Sequence, residues 1–138
     1  MTALLDAPLA FVDVETTGGH PLYHRIIEIG VVLARGEAIE ESWTTLVDPG
    51  TRRPPAIQRL TGSDPAALGD APPFRAIGGE RAMRLEGRLF VAHNARFDYG
   101  FVRNELQRAG RLFDARVACT VKLSRRFYPQ MPRHNLDA

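Results

Sequence analysis

The sequence predicts an α/β fold, a mixed β-sheet covered by helices. Two observations carry that prediction. Three consecutive β-rich runs come first, and helical and strand-like patterns then alternate along the rest of the chain. The length, 138 residues, is that of one ordinary domain. No repeat or internal linker divides it, so residues 1–138 are read as one unit. With 44% hydrophobic and 25% charged residues, the chain is neither disordered, collagen-like nor of low complexity.

Leu9 to Glu15 (LAFVDVE) reads as a buried strand that ends polar, broken by Thr16-Thr17-Gly18-Gly19. Phe11, inside it, is assigned to the core. Ile26 to Ala34 is a second strand. Gly36 marks a turn, and Glu37 to Val47 alternates as a third strand with one wet face, so strands two and three form a hairpin. Asp48-Pro49-Gly50 closes the sheet run. Pro54 and Pro55 then start a short helix through Ile57 and Leu60, stopped by Gly62, and Ser63-Asp64-Pro65 offers another start. Pro72-Pro73 opens a longer helix with Phe74, Ile77, Met83 and Leu85 as its apolar positions, against which the pair Gly78-Gly79 argues. Leu89 to Ala92 (LFVA) is a short apolar strand. The helix after it runs from Ala95 to Ala109 and is closed by Gly110. Val117 to Thr120 is a fifth strand, Val121 to Tyr128 a helix ended by Pro129, and residues 132–138 begin another helix.

No apolar run approaches the roughly 18–20 residues needed to span a bilayer, so no membrane partner is expected. Asp6 and Pro8 interrupt the short apolar N-terminus, which is unlike a secretory signal. The one cysteine, Cys119, excludes an intrachain disulfide and suits a reducing interior, most simply the cytoplasm. It is read as a small buried residue rather than a nucleophile. The net charge of +2 is unevenly placed. Residues 1–69 carry 5 basic and 9 acidic side chains, and residues 70–138 carry 13 and 7. Every basic residue but Lys122 is arginine, whose planar fork suits phosphate. A basic half facing a polyanion and a merely solvated surface are both compatible with this pattern. Phosphate-loop, dinucleotide-turn, nucleophile-elbow and zinc-protease signatures are all missing.

Asp13 and Glu15 stand at i and i+2 on the end of an apolar strand, hence on one face. Two adjacent carboxylates repel and resist desolvation. A hard divalent cation resolves both problems. The second cluster is His93-Asn94-Ala95-Arg96-Phe97-Asp98. On a helix, Asp98 shares a largely apolar stripe with Phe101, Val102, Glu105 and Ala109, which aims its carboxylate inward. Asn94 is either a helix cap or a substrate contact. Phe97 and Phe101 suit the core better than a base-stacking platform. Three carboxylates from two distant segments can converge on a metal pair that cleaves phosphodiesters, with Asp13 as the bridging ligand.

The segments FVDVETTG (Phe11–Gly18), RIIEIGVV (Arg25–Val32) and VAHNARFDYGFV (Val91–Val102) resemble the DEDD 3′–5′ exonucleases. The likeness is greatest to the proofreading exonuclease of bacterial DNA polymerase III and its stand-alone relatives. It implies a ribonuclease-H-like mixed five-stranded sheet with flanking helices. It implies two Mg²⁺ or Mn²⁺ ions on Asp13, Glu15 and Asp98, and removal of nucleoside monophosphates from a nucleic-acid 3′ end. DNA is favoured over RNA as substrate. Thr16 would touch the terminal nucleotide through its backbone, Thr61 would lie near that nucleotide, and Asn94 and Phe97 would line the cleft. A polymerase subunit or a downstream nuclease domain is the implied partner.

In the branch with a histidine base, a third motif, H-x-x-x-x-D, supplies a general base and a fourth carboxylate from the last helix. The chain has no such motif. His134 and Asp137 are one residue short of the spacing, and His134 is read as a helix-start residue. His20 and His24 are read as solvated loop residues, and His93 as a local hydrogen-bonding group. The expectation is an exonuclease domain incomplete at its C-terminus, with the C-terminal helix missing. Such a chain would be weakly active and would expose apolar sheet surface that favours self-association. An RNA-directed relative and a catalytically silent binding module are the alternatives.

Overall fold

The computed structural model describes residues 6–50 and 71–136. Five strands, β1 (Pro8–Thr16), β2 (Ile26–Arg35), β3 (Ala38–Leu46), β4 (Leu89–Ala92) and β5 (Val117–Cys119), form one sheet in the order β3-β2-β1-β4-β5. β1 pairs antiparallel with β2, and β2 with β3. β4 lies parallel to β1, and β5 parallel to β4. The helices are α1 (Phe74–Leu85), α2 (Ala95–Arg108) and α3 (Thr120–Phe127). The mixed, helix-flanked sheet is the one expected, and each of these elements falls within two residues of its expected bounds. The expected helices over 54–60 and after Ser63 lie outside the described residues.

Alternation along β1 divides the sheet into two unlike faces. Ala10, Val12 and Val14 are buried in a core with Ile29, Val31, Leu33, Phe90, Phe101, Val102 and Leu106. Phe11, Asp13 and Glu15 point the other way and are exposed. Phe11 is 41% exposed, which corrects its placement in the core. It shares the opposite face with Val32 and Val91, along an open groove of about 650 Å³ that also takes in Asp13, His93 and Leu136. Of the apolar side chains on this face, Phe11 is exposed, Val32 half-buried and Val91 buried.

The glycine pair in α1 is tolerated because Gly78 is where α1 meets α2. A Cβ there would stand 3.3 Å from Phe74 and 3.5 Å from Leu106. Met83, expected among the apolar positions, is 60% exposed, since it points away from the Phe74–Leu85 stripe. α2 ends in a paired-carbonyl cap. Gly110, at φ 84°, donates to Gln107 O at 3.0 Å, and Arg111 donates to Leu106 O at 2.8 Å. Residues 132–136 are not helical. His134 does not start a helix. It folds back onto α3, its Nδ1 2.8 Å from Ser124 Oγ. Among the described residues, no helix is long and apolar enough to cross a membrane.

Candidate active site

The site arises where β1 outruns its parallel neighbour. β4 pairs with β1 only from Leu9 to Phe11, so the last residues of β1 border a notch. α2 begins beside that notch, one residue after the end of the LFVA strand and its following His93-Asn94 turn. Val14 N–H, with no β4 carbonyl to meet, donates to Asp98 Oδ2 at 3.1 Å. That bond brings a buried carboxylate from α2 to the strand that bears Asp13 and Glu15. The β1–β2 register shifts between Glu15 and Thr16, and such an irregularity re-aims side chains at a strand end.

The electrostatics are those of a site short of positive charge. Asp98 is raised to about 7, chiefly by burial, which the Val14 N–H opposes and to which the charges of Asp13 and Glu15 add. Glu15 is also raised, first by burial and then by Asp13 and Glu28. None of the three carboxylates has a salt-bridge partner among the described residues. Three acidic groups that feel one another and lack a protein cation are a donor set that fits a hard divalent ion. They do not form a finished cage. Among the described residues, no group of three or more His, Cys, Asp or Glu side chains is arranged to hold an ion. The expected convergence thus extends to charge coupling but not to closed coordination, in keeping with the mutual repulsion of carboxylates that have no counter-charge.

The other expected residues fall out unevenly. Thr16 is buried and its hydroxyl donates to Gly18 O at 2.6 Å. Asn94 stands at the N-cap position of α2 in the left-handed region, φ 68° and ψ 56°, without a side-chain cap bond. Asparagine tolerates that conformation better than most residues. Of its two readings, the cap is excluded. The first α2 amide, Ala95 N–H, instead meets Cys119 Sγ at 3.4 Å. Cys119 is half-buried rather than fully buried. Phe97 is half-buried on the core, its ring 4.8 Å from that of the fully buried Phe101. Thr61 lies outside the described residues. His93 is held locally, Nδ1 2.8 Å from Thr120 Oγ1, while its Nε2 is buried without a partner among the described residues.

The supporting cluster around Glu105 was only half legible in the sequence. Its place on the buried stripe is evident from helical spacing, but its partners are not. Its side chain is wholly buried and takes Arg25 Nε at 2.6 Å, Arg108 at 3.0 Å and Ile26 N–H at 3.2 Å. Arg108 also donates to the carbonyls of Pro21 and Leu22, at 2.8 and 3.1 Å. α2 is thereby tied to the loop that follows the carboxylate strand. His24, expected as a solvated residue, packs in that loop so closely that a Cβ on Gly18 would lie 2.3 Å from its ring.

The sequence model of the family described as "Exonuclease" matches residues 10–138. The chain belongs to this exonuclease family. The "3'-5' exonuclease DinG" of Bacillus subtilis (strain 168) is 39% identical over 127 residues, covering 91% of this chain and 14% of that protein. The "DNA polymerase III PolC-type" of Caldanaerobacter subterraneus subsp. tengcongensis is 32% identical over 135 residues, 98% of this chain and 10% of that one. This exonuclease chain therefore spans only a small part of the curated relatives it matches. Exonuclease X in complex with 5' overhanging duplex DNA has the same fold, with a TM-score of 0.73 at 24% identity over 92% of this chain and 68% of that one. The zinc-bound form of the E. coli exonuclease I–ssDNA complex also matches, with a TM-score of 0.80 at 19% identity over 93% and 31%.

Proposed function

We propose that this exonuclease chain supplies the metal-binding half of a DNA 3′–5′ exonuclease site. The observation that carries the reading is the grouping of Asp98 with Asp13 and Glu15, joined through Val14 N–H and uncompensated by any described cation. Asp13, Glu15 and Asp98 would hold two Mg²⁺ or Mn²⁺ ions. Such ions lower the pKa of a bound water and stabilise the leaving oxygen of a phosphodiester. The chain's own residues would do the positioning. By the family resemblance, Thr16 would offer backbone to the terminal nucleotide, Asn94 and Phe97 would line the cleft, and Thr61 would act near that nucleotide. The lone cysteine suits a reducing compartment such as the cytoplasm.

The apolar face around Phe11, Val32 and Val91 is the seat we assign to a helix carrying the third motif. That helix would bring a histidine base and a fourth carboxylate. General-base catalysis contributes about 10²–10⁴-fold, so the 138-residue chain alone is expected to hydrolyse little. DNA substrates are favoured because the relatives and neighbours named above are DNA polymerase and DNA-complex proteins. The polymerase of the PolC-type relative also makes a replication or repair assembly the proposed setting.

The test is digestion of a 5′-labelled 20-mer with Mn²⁺, by this chain and by the same chain continued through an H-x-x-x-x-D helix. The expected result is 3′ shortening by the longer protein, at least about 10²-fold faster than by the shorter one. It should be abolished by Asp13→Ala without loss of fold. Full-speed digestion by the short chain, or activity surviving Asp13→Ala, would contradict the proposal.

A further inference from the structure

α3 is a helix without a core face: none of its residues is buried. Its charges are all positive, with Lys122, Arg125 and Arg126 at helical i, i+3 and i+4 spacing. Residues 115–136 contain five basic side chains and no acidic one. Grooves flank the helix on both sides. One, of about 640 Å³, is lined by Arg96, Lys122 and Arg126 together with Tyr99. The other, of about 600 Å³, is lined by Asn94, Arg125 and Arg133.

Five cations, Arg96, Lys122, Arg125, Arg126 and Arg133, line these two grooves. Arg25, Arg35, Arg88, Arg103 and Arg108 all pair with carboxylates. Among the described residues, the side chains of Arg96, Lys122, Arg125, Arg126 and Arg133 have neither a salt bridge nor a hydrogen bond. A row of exposed, unpaired like charges is the electrostatic footprint that a polyanion fits. The row is also continuous with the carboxylate site. His93 borders both the Arg125–Arg133 groove and the sheet-face groove that contains Asp13.

We infer that the α3 ridge binds the sugar–phosphate backbone of the substrate strand beyond the nucleotides held at the carboxylates. Arginine forks on α3 and Arg133 meet successive phosphates, while Tyr99 offers a ring in the groove lined by Lys122 and Arg126. The ridge therefore gives length-dependent affinity without base specificity. This inference rests on the exonuclease reading for the direction in which the strand leaves the site.

The test is anisotropy of a labelled single-stranded DNA 20-mer and 4-mer in EDTA, which separates binding from cleavage. Arg125→Gln/Arg133→Gln and Lys122→Gln/Arg126→Gln are compared with Arg75→Gln/Arg111→Gln, an equal charge loss outside both grooves. Each ridge pair is expected to weaken the 20-mer about tenfold and to lower the magnitude of the salt slope by about 1.4, which is two single-strand phosphate contacts. The 4-mer and the control pair should change little. Unchanged 20-mer affinity in both ridge pairs overturns the inference and leaves the exonuclease reading intact. An equal loss in the control pair, or displacement of the 20-mer by polyglutamate as readily as by unlabelled DNA, overturns it too. Failure of the unaltered protein to bind the 20-mer at low salt overturns both.

Discussion

Asp98 is the residue on which most of the site chemistry turns, because it is an acid held well above its ordinary range by burial and by two acidic neighbours. Between its unfolded value near 4 and its folded value of about 7, the folded protein keeps a proton that the unfolded chain has lost. The metal-free protein should therefore lose stability as pH rises through that window and level off above it. Asp98→Asn should flatten the profile and leave the protein relatively more stable at pH 8, as thermal melts from pH 4 to 8 in EDTA will read. Glu105 has the opposite character. Its side chain is wholly buried but satisfied by two arginines and an amide. Glu105→Ala should cost about 3 kcal/mol in urea unfolding, the low end for breaking a buried pair, because both arginines keep some access to water. A loss under about 1 kcal/mol would mean that the cluster is incidental. Phe11 and Phe101 make a third contrast. Phe101→Ala should cost about 3–5 kcal/mol as a core deletion. Phe11→Ala should cost much less, since its ring is partly in water already.

Elements were legible in the sequence where periodicity or punctuation was strong. Every described strand and helix was found, because the β-rich runs, the LFVA segment and the Gly36 and Gly110 stops each dictate local structure. Faces were read less well. Phe11 sits in an apolar run with buried neighbours on both sides, and nothing local says which face of the sheet a helix covers. Asn94 shows the same limit, since a residue suited to capping proved to be left-handed, with Cys119 from a distant strand meeting the amide instead. Long-range partnerships such as Glu105 with Arg25, or Asp98 with Val14, depend on topology that spacing does not encode. The Gly78 contact between α1 and α2 belongs to this scale. Gly78→Leu should overpack that crossing and destabilise by about 1–3 kcal/mol, measurable by thermal unfolding, whereas Gly79→Leu, with nothing within 4 Å of its Cβ position, should not.

Across the molecule, the two sheet faces divide the labour. One is sealed by α1 and α2 and supplies stability. The other carries Asp13 and Glu15 beside an apolar groove, which the basic helix α3 meets at its first residue, Thr120. The carboxylates and the family motifs were legible because they recur as short local strings. The open coordination was not, because it depends on side-chain placement across the notch. Isothermal titration of the metal-free chain with Mn²⁺ between pH 6 and 8 addresses the central assignment most directly. The account predicts saturable binding that releases more protons at pH 6 than at pH 8, and that is lost in both Asp13→Asn and Asp98→Asn. Binding that is indifferent to those two substitutions, or no binding by the unaltered chain, would contradict it.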